Sequence, residues 1–277
     1  MAWEAVGMTR CAIARDTPAT LASAPLELDE GWGGAAADAG AVIQRVREAC
    51  LSGIHLVSDR QPQKLRVDEQ RAGPPHIWRH EENPDTAWVV VDFAPTHWVQ
   101  LAYQFGHELG HVLCNSWVFA AQLDPPSRWL EEAMVEAFSI RGLGRLADSW
   151  AHTPPFPHDE GFAGEIRKYR DNLIERYRTA GGTKPAVSDT VQWFRASRPA
   201  LDRASGVGPN EGPGIVAILG ELESDADCVA DLGAVNRWPQ RSGIPSEEYL
   251  QRWQDSCAQV AAPGVLPGRL KTLFGLA

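Results

Sequence analysis

Residues 106–111 read Gly-His-Glu-Leu-Gly-His, and no other segment limits the fold of this chain as strongly. Two histidines four positions apart lie one turn apart on the same face of a helix, so both imidazoles can reach one cation if the segment is helical. Glu108 then stands beside the first ring, where its carboxylate can hold and deprotonate a water without binding the ion itself. From Thr96 to about Ser116 the residue pattern is indeed helical. His107 and His111 are therefore candidate metal ligands and Glu108 a candidate general base. Two imidazoles with one carboxylate suit zinc first.

The rest of the chain places this helix. Residues 1–36 are rich in Ala, Pro, Gly and acidic groups with little periodicity, which predicts a loosely ordered N-terminal extension. A helical pattern follows over about 38–52, then strand-like pieces at 54–57, 65–67, 76–78 and 87–93. The last two flank the turn signal Asn83-Pro84-Asp85, so a hairpin should feed the metal helix. A second helix is expected from Pro126 to about Arg141, opened by a proline pair and stopped by Gly142 and Gly144. Beyond it an amphipathic helix over about 160–179 carries Phe162, Ile166, Tyr169, Leu173 and Tyr177 as its apolar stripe. Further helices are expected at 188–203, 212–223, 246–260 and 267–275. The fold class is α+β: a small mixed or antiparallel sheet packed on the metal-binding helix, followed by a mainly helical C-terminal lobe. The corresponding sub-domains are 37–145 and 146–277.

A catalytic zinc site usually takes three protein ligands and keeps one position open. The second expected helix contains Trp129-Leu130-Glu131-Glu132-Ala133-Met134-Val135-Glu136. Here the sequence resembles the gluzincin metallopeptidases, the clan of thermolysin-like enzymes and of catalytic domains of the aminopeptidase N type. The aminopeptidase pattern Trp-Leu-Asn-Glu-Gly-Phe-Ala-Glu is matched at Trp129, Leu130, Glu132 and Glu136, with Glu131 in place of the Asn. The resemblance covers residues 106–138. It implies a zincin-like fold, Glu132 as third zinc ligand, Glu136 as the carboxylate that orients His107, and zinc-dependent hydrolysis of a peptide or protein substrate. It also implies that the strand Trp88–Phe93 is a sheet edge along which an extended substrate lies.

The chain departs from its models in three places. It has no Gly-x-Met-Glu-Asn segment ahead of the metal helix, Asn210 and Glu211 stand where an oxyanion-steadying tyrosine is expected, and Trp117 replaces the third histidine of the metzincin pattern. Two other readings accordingly stay open. One is a catalytically silent metal-binding module that recognises a peptide; the other is a regulatory metallopeptidase that cleaves repressors, although no repressor-like DNA-binding region is seen.

Other candidates read as structural. Cys114 is seven positions after His107, about 10 Å along the helix, which suits a core thiol better than a third ligand. Tyr169 and Tyr177 read as core, His152 and His158 as exposed loop residues, and His55, His76, His80 and His97 have no ligand-like spacing. Five cysteines without a Cys-x-x-Cys pair point to reduced thiols, with a Cys228–Cys257 bridge left open. With 26 Lys+Arg against 36 Asp+Glu the net charge is −10, which argues against nucleic-acid or anionic-membrane partners. No basic-then-apolar leader and no run of about 18 apolar residues is present, so a cytoplasmic location is expected, with signal-less export left open.

Overall fold

A computed structural model of the chain describes residues 20–70, 73–92, 97–180 and 190–276. Four short strands form one mixed sheet in the order β1 (Leu26–Leu28), β2 (Lys64–Glu69), β4 (Thr86–Val91), β3 (His76–Ile77). β1–β2 and β2–β4 are parallel, whereas β3 pairs antiparallel with β4, His76 opposite Val90 and Ile77 opposite Val89. Alternation explains the faces: Leu65, Val67, Ala87 and Val89 point inward, and Arg66 and Trp88 point outward. The expected hairpin forms, and the Trp78 N–H donates to the Trp88 carbonyl at 2.8 Å. Phe93 lies outside the described residues.

The inner face of the sheet shares one apolar core with α1 (Ala36–Leu51) and α2 (Trp98–Leu113), through Val42, Ile43, Leu101, Phe105 and Leu109. α3 (Arg128–Trp150) runs through the middle of the molecule, packed on α1 and α2 on one side. On its other side lie α4 (Ala163–Thr179) and α6 (Gly212–Ser224). α5 (Thr190–Leu201), α7 (Ala226–Ala230), α8 (Ser246–Gln259) and α9 (Val265–Phe274) complete the helical half. Among the described residues, no helix is long and apolar enough to cross a membrane, and Cys50, Cys114, Cys228 and Cys257 are free thiols, so Cys228 and Cys257 are not bridged.

Several expectations are corrected. From residue 20 onward the supposed extension belongs to the packed body: β1 adds to the sheet, and Trp32 is buried with its Nε1–H donating to the Val67 carbonyl at 2.9 Å. Its apolar residues are buried singly between Pro, Gly and acidic residues, which leaves no period to read; residues 1–19 lie outside the described set. Residues 54–57 form no strand; they lie against the turn at Asp231–Ala234, where a Cβ on Gly233 would come within 3.1 Å of Val57. The strand before α2 is not an edge: β4 is flanked on both sides, and the antiparallel edge is β3.

α3 does not stop at Gly142 and Gly144, and it carries the chain straight through the boundary expected at residue 145. Both glycines are there for close approach rather than termination. A Cβ on Gly142 would collide with the Sγ of Cys50 on α1, and one on Gly144 would stand 3.1 Å from the Nε of Arg170 on α4. Gly142→Ala, which favours an isolated helix, should therefore destabilise the protein by roughly 1–3 kcal/mol in a denaturant titration. Unchanged or raised stability would show that α1 and α3 do not pack this tightly.

Candidate metal centre

α2 presents two faces to its neighbours. Leu101, Phe105, Leu109 and Val112, spaced by four, four and three, are buried in the core. Gly106 and Gly110 lie against α3: a Cβ on Gly110 would be 2.9 Å from the Cβ of Val135, and one on Gly106 would be 3.0 Å from the Ser139 hydroxyl. With hydrogen at these two positions the helices come close enough for carboxylates on α3 to reach imidazoles on α2. The Ser139 hydroxyl donates across this contact to the Tyr103 carbonyl at 2.7 Å.

The five residues singled out from the sequence come together. The His107 and His111 ring centroids are 5.1 Å apart, and the Nε2 of each ring lies 3.6 Å from Oε2 of Glu132. These three donor atoms fall within 4.8 Å of one another. Ligands at about 2.0–2.2 Å around a tetrahedral zinc are separated by about 3.3–3.6 Å, so both histidine–glutamate separations match the required spacing. Arg128 holds the other Glu132 oxygen, with Nε 3.4 Å from Oε1. Cys114 is fully buried and is not one of the donors.

Each imidazole is held from behind by its own carboxylate. Glu136 lies 2.9 Å from His107 Nδ1, and Glu131 lies 2.7 Å from His111 Nδ1. An ionised carboxylate only accepts, so the ring proton sits on Nδ1 and Nε2 faces Glu132. Glu136 also accepts from the hydroxyls of Tyr103 at 2.6 Å and Tyr177 at 2.7 Å. Glu131 accepts from the Ser116 hydroxyl and, at 2.7 Å, from the Asn236 side-chain amide, which in turn accepts from the Tyr249 hydroxyl at 3.1 Å.

Glu108 is different. It is 3% exposed, and its Oε2 is buried with no hydrogen-bond partner among the described residues. Burial raises its pKa above the ordinary carboxylate range, with His107, His111 and the more distant His76 pulling the other way. It lines a cleft of about 250 Å³ together with Pro75, Gln104, His107, Glu132 and Val207, so the residue borders the same space as two of the three donor residues. A donor trio at ligand spacing next to an unpartnered buried carboxylate fits a resident cation and a water on it.

Compared with known proteins, the chain matches no family model, no curated protein and no solved structure.

Sequence reading missed the carboxylate behind His111. Glu131 was visible only as a departure from the Asn of the aminopeptidase pattern, and its partner Asn236 is 105 residues away with no local signal. Tyr103 carried a signal that went unused: it precedes His107 by four and so shares its helix face. Tyr177 is core as expected, but its hydroxyl reaches Glu136. His152 is exposed, with Nδ1 on its own helix at the Asp148 carbonyl, 2.9 Å away.

Without a cation the buried charges balance differently. Burial lowers the pKa of His107, but the hydrogen bonds to Glu132 and Glu136 outweigh it and bring the ring from 6.5 to about 9. For Glu131 and Glu136 burial is likewise opposed by histidine, and the carboxyls end below their usual 4.5. The histidine contribution to stability is complete below pH 6.5 and is lost as pH rises through about 9, whereas the carboxylate contribution is complete above 4.5 and is lost on acidification. Metal-free protein should thus be most stable between about pH 4.5 and 6.5. Zinc requires neutral imidazoles, so the stabilisation it adds should grow over the same rise in pH. Melting curves with chelator and with zinc across this range check both trends; a zinc effect independent of pH contradicts them.

Proposed function

We propose that this protein is a zinc-dependent peptidase of gluzincin type. The observation that carries the reading is the convergence of His107 Nε2, His111 Nε2 and Glu132 Oε2 at a cleft that Glu108 also lines. The architecture supports a zincin-like assignment: an antiparallel edge strand lies over the His-Glu-x-x-His helix, and the next helix brings the glutamate. When bound, zinc supplies Lewis acidity, polarising a carbonyl and lowering the pKa of a water toward about 7.

The chain's own residues divide the remaining work. His107, His111 and Glu132 hold the ion, and Glu136 and Glu131 keep each ring turned with Nε2 toward it. Glu108 takes the proton of the attacking water on Oε2 and passes it to the departing amine nitrogen. Burial raises its pKa, which makes it a stronger base than an exposed carboxylate. An extended peptide fits along β3, whose outer side has no strand partner among the described residues, with Pro75 directing it toward the cleft.

One observation favours a second reading, a metal-holding module that binds a peptide without cutting it. Tyr103 and Tyr177, the tyrosines at the site, both spend their hydroxyls on Glu136, and Glu211 is buried and accepts from the Gly208 amide at 2.8 Å. Among the residues lining the cleft, no tyrosine hydroxyl is thereby left to steady an oxyanion. Peptide-library profiling of zinc-loaded protein separates the readings, since a module leaves every peptide intact. Glu108→Gln should keep full zinc content and lose at least about 100-fold in turnover. Undiminished cleavage by that variant would refute the role of Glu108.

A further inference from the structure

The C-terminal half of α3 borders a second cleft of about 440 Å³, walled by α3, α4 and α6 and rich in arginine: Arg141, Arg145, Arg167 and Arg170. In a chain with net charge −10 such a concentration of guanidinium groups calls for an explanation. Three acids share the cleft, and all are engaged: Asp148 with Arg167 at 3.1 Å, Asp171 with Arg170 at 3.1 Å, and Glu223 also with Arg170. Arg141 and Arg145 form no ion pair among the described residues, although Glu223 lies near enough to favour the charge of Arg141.

Arg141 is the telling member, because it is only 3% exposed. Its Nε and Nη1 donate to the carbonyls of Leu222 at 3.1 Å and Cys50 at 3.2 Å, which fixes the guanidinium in place without a carboxylate in hydrogen-bond contact. Burial opposes that charge and neighbouring Arg145 opposes it further, against a smaller contribution from Glu223 in its favour. An anion entering the cleft would meet the buried Arg141 and the exposed Arg145 together, and guanidinium groups match the oxygens of a phosphate.

Arg170 forms part of the wall, its guanidinium already paired with Asp171 and Glu223. Its Nε is buried with no acceptor among the described residues. The side chain lies across α3 at Gly144, where a Cβ would be 3.1 Å from that same Nε. Glycine weakens a helix interior, and here it opens the space Arg170 occupies. The cleft continues into another of about 530 Å³, with Ile174, Val216 and Leu219 as apolar wall.

We propose that this cleft binds a small phosphate monoester, its phosphate gripped by Arg141 and Arg145 and its organic part laid on Ile174, Val216 and Leu219. The site is separate from the metal centre and stands whether or not the chain is a peptidase. Titration calorimetry at constant ionic strength tests it, using the whole chain in zinc-free and zinc-loaded form with inorganic phosphate and phenyl phosphate as probes. One saturable site is expected for both probes, several-fold tighter for phenyl phosphate. Arg145→Ala should weaken binding at least tenfold. Arg145 is exposed, so its variant should keep wild-type melting and zinc content, which separates lost binding from lost fold. Equal affinity for the two probes assigns the same oxyanion site to free phosphate. Absence of saturable phosphate binding, or undiminished affinity in Arg145→Ala, overturns the site.

Discussion

The close contact of α2 with α3 is the constraint on which the site depends. Gly106 and Gly110 remove side-chain volume along one stripe of α2, and Val135, Phe138 and Ser139 of α3 fill it. Only at this separation does one oxygen of Glu132 stand 3.6 Å from both imidazole nitrogens. The same contact fixes Glu131 and Glu136 behind the rings, because all three glutamates are on the first turns of α3 and share its position. Packing between two helices thus sets the geometry of the ligands and of the groups that orient them.

Electrostatics shows why such an arrangement suits a cation. Glu131, Glu132 and Glu136 are buried and held ionised, while Glu108, also buried, is pushed toward its neutral form. Taking several carboxylates out of water is costly unless hydrogen bonds and opposite charge compensate. In the metal-free protein two imidazolium rings provide the compensation. A divalent ion provides it while leaving both rings neutral, which links metal uptake to proton release.

What was legible in the sequence follows from which interactions are local. The spacing of four between His107 and His111 is a helix-face relation, as is the spacing between Glu132 and Glu136, and both survive in the structure. The β3–β4 hairpin was readable because its turn chemistry lies between its strands. Relations across the fold were not readable. Gly142 and Gly144 look like helix stops until Cys50 and Arg170 are seen against them, and Glu131 looks like a mismatch until Asn236 and Ser116 are seen to donate to it. β1 escaped notice because three residues of a parallel edge strand carry too little alternation to stand out. β4 was taken for the edge because strand order is set by the pairing of distant segments, and no local pattern records it.

Zinc K-edge X-ray absorption on protein loaded with one equivalent of zinc tests the central claim most directly. Four light ligands are predicted at about 2.0–2.2 Å, two of them showing the multiple scattering of imidazole rings, with no sulfur shell. A sulfur contribution at about 2.3 Å, the distance a thiolate ligand such as Cys114 would give, or a failure of the protein to retain zinc at all, would contradict a centre built from His107, His111 and Glu132.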